Sequence, residues 1–375
     1  MSSLDFVECF SGVEDPRVER TKWHALVDIL FVSVAGTLAG CDGPSDIASF
    51  AKTQLDWCRR FVKLKNGAPS HDTIGRVLSV VKPDQFQRAF MEWIAAVAGD
   101  DWGETQFVSI DGKTLRGSGG SKDRDNPLHV VSAWANDQGI TLGQVAVDSK
   151  SNEITAIPKL LEMLEVKGAI VSLDAMGCQK EIAKNIAKGE ADYVLALKDN
   201  HPKLCEAVKH FFLQRYEQQD FAEYGCRQHQ TKEKARGKIE TRSYLVAPIP
   251  KELSTLTRGW KNLRSIGQAI TLTTAPDGSE TSEVRYYLCS IPPKVKLFAK
   301  SVRSHWAIES MHWVLDVVFK EDKSRLRNGE STQNFGFLRK FVITLLKRDT
   351  SKGSLVGKRK KAAWSTEFLE KLLFG

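Results

Sequence analysis

The apolar residues of this chain change their period near residue 107, and that change limits what it can fold into. Before it, the spacing is helical. Apolar residues dominate from 23 to 38, which predicts a buried helix. Ser45 and Asp46 are candidate caps for a helix through Ile47, Phe50, Leu55, Trp57 and Phe61. Pro69-Ser70-His71-Asp72 reads as a turn into a helix with Ile74, Val77 and Leu78. Pro83-Asp84 opens another with Phe86, Phe90, Trp93 and Ile94, and Gly99-Asp100-Asp101 closes the unit. After it come short apolar runs of strand length at 107–110, 129–134 and 140–147, the first two separated by the loop GSGGSKDRDNP. Their short connections predict an antiparallel meander.

Beyond the meander, helical and strand patterns alternate: helix at 153–164, strand at 169–173, helix at 179–187, strand at 193–197. Strands joined through helices pair in parallel. Three strands, helix, strand, helix, strand is the order of a ribonuclease-H-like core, an α/β mixed sheet. After a helix near 202–217, residues 225–245 are rich in Lys, Arg and Gln, and strand-like runs follow at 241–246, 265–273 and 284–290. This predicts a β-rich insertion at about 221–291, placed before a long helix at 294–319. The last forty residues are basic and read as two helical pieces. The expected organisation is a separate helical domain at 1–98, a candidate DNA-binding region, and a catalytic domain at 99–375.

A chain of 375 residues can bury a sizeable core, and 42% hydrophobic with 27% charged residues is ordinary for a globular protein. The net charge of +8 favours an anionic partner, nucleic acid before a membrane surface. Seven cysteines stand singly, with no C-x-x-C pair, which argues against a zinc ribbon or disulfide framework and for a reducing compartment. The N-terminus has no signal-peptide pattern. The apolar stretch 25–39 contains Asp28 and is too short to span a bilayer. The expectation is a soluble cytoplasmic protein that neither enters a membrane nor, lacking a phosphate-binding glycine loop, takes a nucleotide cofactor; residues 117–120 read as a flexible connector.

Asp111 ends the first predicted strand and Asp174 the fourth, and in this strand order the two are neighbours. Either alone reads as a residue starting a turn. Together they form a hard, anionic pair suited to Mg²⁺ or Mn²⁺ and costly to hold close without such an ion. A third acid is expected from the long helix, where His305, Glu309, His312 and Asp316 fall at spacings of four, three and four and share one face.

The segments SIDGKTLRGS, SLDAMGCQKEIAKNI with DYVLALKDNHP, and RSHWAIESMHWVLDVVFKEDKSRLR resemble insertion-sequence DDE transposases of the H-repeat-associated type. DPRVERTKWHALVDILFVSVAGTLAGCDG and GAPSHDTIGRVLS are similar to that family's associated N-terminal region, so the resemblance covers nearly the whole chain. It implies a metal-bound triad of Asp111, Asp174 and Glu309, with transposon ends and target DNA as substrates. A homo-oligomer on DNA is expected with it, because joining two ends generally needs at least two protomers. The wider superfamily often carries Tyr-x2-Arg-x3-Glu-x6-Lys around its last acid. Aligned on Glu309, this chain has Val302, His305 and Asp316 at the other positions, so the DNA contacts of that motif do not carry over. Glu309 and Asp316 are about 10.5 Å apart along the helix, too far to ligate one ion together. Asp316 is expected either to orient His312 or to pair with Lys320, with His305, His312 and Asp316 as outer-shell residues.

Lys113 and Arg116, close after the first aspartate, are candidate phosphate contacts, as are Lys198, Arg325 and Arg327; Lys320 and Lys323 belong to the same basic run. The C-terminal run of Lys347, Arg348, Lys352, Lys358, Arg359, Lys360 and Lys361 reads as a further backbone-tracking stretch. Trp306 and Trp313 can stack on an extruded base, but packing in the core is the more ordinary use of a helical tryptophan.

Overall fold

The computed structural model describes residues 3–98, 106–119, 127–147, 152–235, 237–327 and 329–375. Six helices come first: α1 (Ser3–Ser11), α2 (Leu26–Leu38), α3 (Pro44–Thr53), α4 (Leu55–Cys58), α5 (His71–Val80) and α6 (Pro83–Ala98). Helix α2 is buried along nearly its whole length, as its composition requires. Ser70 caps α5 by accepting from the Thr73 amide. Neither Ser45 nor Asp46 is the cap of α3: Gly43 holds that position and Pro44 starts the helix, a first-turn site where the missing N–H costs nothing. The predicted closure at Gly99-Asp100-Asp101 lies outside the described residues, as does most of the loop after residue 119.

The sheet has nine strands in the order β3-β2-β1-β4-β5-β9-β8-β7-β6. Strands β1 (Phe107–Thr114), β2 (His129–Ala135) and β3 (Ile140–Ala146) form the expected antiparallel meander. Helix α7 (Glu153–Glu162) leads to β4 (Ile170–Leu173), and α8 (Lys180–Lys188) to β5 (Asp192–Leu197). β4 pairs in parallel with both β1 and β5. This is the ribonuclease-H-like arrangement. After α9 (Pro202–Gln218), the insertion supplies β6 (Arg227–Ala235), β7 (Lys238–Pro248), β8 (Ser265–Thr274) and β9 (Glu280–Cys289). β9 pairs antiparallel with β5, so the insertion extends the central sheet rather than standing apart from it. The β6 sequence, RQHQTKEKA, has no apolar alternation because the strand lies at the sheet edge, where charged side chains also discourage pairing with another chain.

Helix α10 (Val295–Val317) then crosses the sheet, and α11 (Gly329–Arg348), α12 (Leu355–Trp364) and α13 (Thr366–Phe374) end the chain. Three helices thus stand where two pieces are expected. They also change the domain picture. Phe6, Phe10, Phe90 and Trp93 form one aromatic cluster with Phe341 of α11, and Phe61 stacks on Phe374. Asn334 of α11 donates to the carbonyls of Leu78 and Val81 at the end of α5. The N-terminal helices therefore share one core with the C-terminal ones instead of forming a separate unit. Among the described residues, no helix is long and apolar enough to cross a membrane.

The first half of α10 is seated on the insertion. Phe298 is fully buried, with its ring edge-on to Tyr244 and Tyr287, and it lies where a side chain at Gly267 of β8 would go. Gly267 is thus a close-approach glycine that sets the height of α10 above the sheet. Gly267→Ala is expected to lower stability by about 1–3 kcal/mol, the cost of overpacking a filled interior. A drop in the denaturant midpoint checks this; an unchanged midpoint contradicts it.

Candidate active site

The parallel register pairs Ile110 with Leu173, so Asp111 and Asp174 each follow directly on the last paired position of adjacent strands. Asp111 does not end its strand as the sequence suggests: β1 continues to Thr114, while β4 stops at Leu173. Asp174 leaves the sheet in a tight turn, accepting from the amides of Met176 and Gly177 at 3.1 Å each.

The second half of α10 lies along β1 and meets β1 and β4 in three polar rungs. Ser172 is hydrogen-bonded to Nδ1 of His305 at 3.0 Å and to Ser109 at 3.1 Å. Nδ1 of His312 lies 3.5 Å from the Asp111 carboxylate. Nζ of Lys113 donates to Asp316 at 2.7 Å. Ser109, Asp111 and Lys113 alternate onto one face of β1, as strand geometry demands. Glu309 projects from the more exposed side of the same helix. Asp111, Asp174 and Glu309 line one open cleft of about 460 Å³, together with Lys198, Arg285 and Trp306.

The three acids sit in different fields. Burial raises the carboxyl pKa of Asp111, but hydrogen bonding and charge from His312, then His305, outweigh it and leave the group below its ordinary value. Asp174 is raised, first by burial and then by the nearby charges of Glu153 and Asp111, against the Gly177 amide. Glu309 is raised as well: burial leads, Arg285 opposes it, and Asp111 adds to it. Burial holds His305 below its usual value. Among the described residues, no three Asp, Glu, His or Cys side chains already stand in a coordination sphere. The three acids of the cleft offer anionic oxygen donors, which suit a hard divalent ion; His305 and Cys205 also line it, but His305 is hydrogen-bonded to Ser172.

The cations divide differently from the sequence-based expectation. Lys113 is turned away from the cleft into a carboxylate cluster, 2.7 Å from Asp316, 3.4 Å from Asp322 and 3.6 Å from Glu321. It is a structural residue and not a phosphate contact, because its ammonium is almost fully enclosed. Arg116 is exposed and lies 3.7 Å from Asp322. Lys198 is exposed and lines the cleft, whereas Arg325 and Arg327 are exposed but outside its lining. Asp316 neither orients His312 nor pairs with Lys320, which binds Asp42 at 3.0 Å instead. In the basic C-terminal run, Lys358 and Arg359 are buried, the latter holding the carbonyls of Thr37, Cys41 and Val318, and Lys347 lies over Trp134. Trp306 borders the cleft, and Trp313 is 58% exposed, so core packing does not describe Trp313.

Three contributors carry no sequence signal. Arg285 and Glu283 reach the cleft only because β9 pairs beside β5. Glu153 is bonded to His129 at 2.6 Å, and this pair fills the space where a side chain on residue 112 would lie. The glycine of Asp111-Gly112-Lys113 is therefore required by close approach on the face opposite the acids.

A ribonuclease-H-like sheet with an aspartate on β1, a second just past β4 and a glutamate on α10 lining one cleft defines a class of folds to which nucleic-acid phosphoryl-transfer proteins belong. The comparisons place the chain within it. Residues 102–345 match the family described as "Transposase DDE domain", and residues 7–94 match "DDE_Tnp_1-associated". The chain belongs to the DDE transposase family. It is 38% identical to "Putative transposase YncI" of Escherichia coli O157:H7, over 100% of this chain and 95% of that protein. It is 36% identical to "H repeat-associated putative transposase YhhI" of Escherichia coli strain K12, over 100% and 99%. The match to "Putative protein YbfL" of the same strain has the same identity and coverage.

The Lys113 cluster generates a test. The pKa of Lys113 is raised: burial opposes its charge, but Asp316, Glu321 and Asp322 more than compensate. A cation with a raised folded-state pKa contributes stability that is fully present below its unfolded value, about 10.4, and lost as pH rises through the folded one. Lys113→Met should cost about 2–4 kcal/mol at pH 7, less than a fully buried pair because Asp316 and Asp322 keep some water. It leaves three acids facing one another without that cation, so the deficit should shrink as pH falls toward about 4–5, where carboxylates begin to protonate and the repulsion fades. Denaturant titrations across pH check it; a pH-independent deficit refutes it.

Proposed function

We propose that this chain is an active transposase that cuts DNA at the ends of its element and joins them to target DNA, with Asp111, Asp174 and Glu309 as the catalytic, metal-binding acids. The observation that supports this is their convergence: carboxylates from β1, from the end of β4 and from α10 meet on a cleft that also receives Lys198 and Arg285. Two of the three have raised pKa values, partly from the charge of Asp111, a repulsion that a divalent cation relieves. Mg²⁺ is the resident ion in this reading and Mn²⁺ a substitute. Bound there, such ions activate the attacking oxygen and stabilise the leaving one.

The chain's own residues prepare that chemistry. His312 orients Asp111 and favours its anion. The Ser109–Ser172–His305 rung fixes α10 beside β4, so that Glu309 lines the same cleft as Asp111 and Asp174. Lys198 offers a charge to a phosphate entering from solvent. In the first reaction, water attacks phosphorus at the element end, a P–O bond breaks, and a 3′-hydroxyl is released on the element. In the second, that hydroxyl attacks a target phosphodiester and a target oxygen leaves. The proposal includes an assembly of at least two protomers on DNA in the cytoplasm, with residues 1–98 helping to recognise the ends, since helices suit the major groove.

Purified protein, labelled element ends, supercoiled target and Mg²⁺ provide the test. Asp111→Asn, Asp174→Asn and Glu309→Gln should each reduce cleavage by about 10³-fold or more while end binding survives. Chelation should stop cleavage, and Mg²⁺ or Mn²⁺ should restore it. Joined products identify a transposase. Cut ends alone identify a nuclease, and a mobility shift without cutting identifies a transposase-derived DNA-binding protein. Near-normal cleavage by any of the three variants removes that residue from the assignment.

A further inference from the structure

Beside the carboxylate cleft, and continuous with it, lies a second recess between α10 and the insertion strands. Its wall carries three guanidinium groups from three elements: Arg242 of β7, Arg285 of β9 and Arg303 of α10, with Trp306 between them. Arg285 and Trp306 belong to both recesses. The arginines converge because α10 is seated on β7–β9 through Phe298, and because the strand register places Ala269 of β8 opposite both Tyr244 and Arg285. The recess is shallow, about 20 Å³, and cannot enclose a small molecule. It can support a polyanionic strand laid across it.

Each arginine has a carboxylate partner. Arg285 donates to Glu283 at 2.8 Å, Arg242 donates to Glu233 at 2.9 Å and also pairs with Glu240, and Arg303 lies 3.6 Å from Glu233. Glu233 and Glu283 are both about half exposed, at 50% and 52%. Ion pairs with that much water around them contribute only about 0–1 kcal/mol and exchange readily. A phosphodiester, gripped by the forked guanidinium, competes well for such an arginine. Arg285 also lies over the Trp306 ring, with its guanidinium carbon 5.2 Å from the centroid. That contact keeps the group at the cleft mouth when its carboxylate partner is lost.

We propose that the recess formed by Arg242, Arg285, Arg303 and Trp306 is a phosphate-backbone site for the DNA strand leaving the carboxylate cleft, and that Glu283 and Glu233 hold Arg285 and Arg303 until phosphates replace them. The site rests on the reading of the cleft as the place of DNA cleavage. Arg285 and Arg303 are the exchangeable pair. Arg242, whose side chain is only 10% exposed, is held within the β6–β7 hairpin by Glu233 and Glu240 and forms the fixed wall of the recess.

The test separates this site from the chemistry. Binding of the full-length protein to a fluorescent duplex with a 3′ overhang is measured by anisotropy in EDTA, over a salt titration. Arg285→Ala and Arg303→Ala are each expected to weaken binding about 5–10-fold and to lower the salt slope by about 1, as for a lost phosphate contact. Glu283→Gln is expected to do the opposite, tightening binding and steepening the slope, because it releases Arg285. A purely structural Arg285–Glu283 pair predicts no gain from Glu283→Gln. Denaturant unfolding identifies misfolded variants, and Arg285→Lys, which keeps the charge, should keep the slope. Wild-type affinity and slope in both arginine variants, or no gain with Glu283→Gln, overturn the site while leaving the cleavage assay untouched. If the arginine and glutamate variants behave as expected but the wild type cuts nothing in Mg²⁺, the site stands and the catalytic reading falls. A wild type that binds no DNA overturns both.

Discussion

Helix α10 has to lie on two surfaces at once, and the position of Glu309 depends on both. Its first half is held by apolar contact, Phe298 against Gly267 and two tyrosines. Its second half is held by polar rungs on β1 and β4. Apolar burial is strong but non-directional, so it fixes height better than register. Hydrogen bonds and charge pairs in a partly buried seam are directional, and they fix register. A one-residue slip of the helix would break all three rungs together. The seam thus couples the insertion, which carries one end of the helix, to the aspartates beneath the other.

The charge on this protein is also sorted by that seam. Lys113, which a linear reading places beside Asp111 as a phosphate contact, is used to neutralise Asp316, Glu321 and Asp322. Nearby, Arg339 faces the buried Glu321 at 3.6 Å. Lys340, fully enclosed, bonds Gln144 at 2.5 Å and has its ammonium pKa lowered by burial to about 8. Several of the cations behind the +8 net charge are therefore internal, and the charge available to a polyanion is a smaller set around the cleft. Net charge points to the class of partner; only burial indicates which residues can meet it.

The N-terminal and C-terminal helices form one core across the ends of the chain. The boundary near residue 98 separates two sequence families but not two hydrophobic interiors. Removing the first helices would uncover Phe341, Phe374 and their neighbours, so end recognition by this region is better probed with surface substitutions than by truncation.

The sequence by itself determined the order of strands and helices in the ribonuclease-H-like core, because period two and period 3.6 patterns are local and strong there. It also determined the two aspartates, since a parallel register follows once strand order is known, and it placed Glu309 on a helix face with His305, His312 and Asp316. Strand β6 escaped notice because an edge strand with two wet faces has no alternation to read. The partners of that helix face were decided only by tertiary structure. Asp316 takes Lys113, not His312 or Lys320, because β1 and α10 lie side by side, and no spacing along the chain encodes that crossing. Arg285 enters the site for the same kind of reason: it arrives from a strand some ninety residues beyond β5, through an antiparallel pairing with β5 whose register depends on long-range backbone hydrogen bonds.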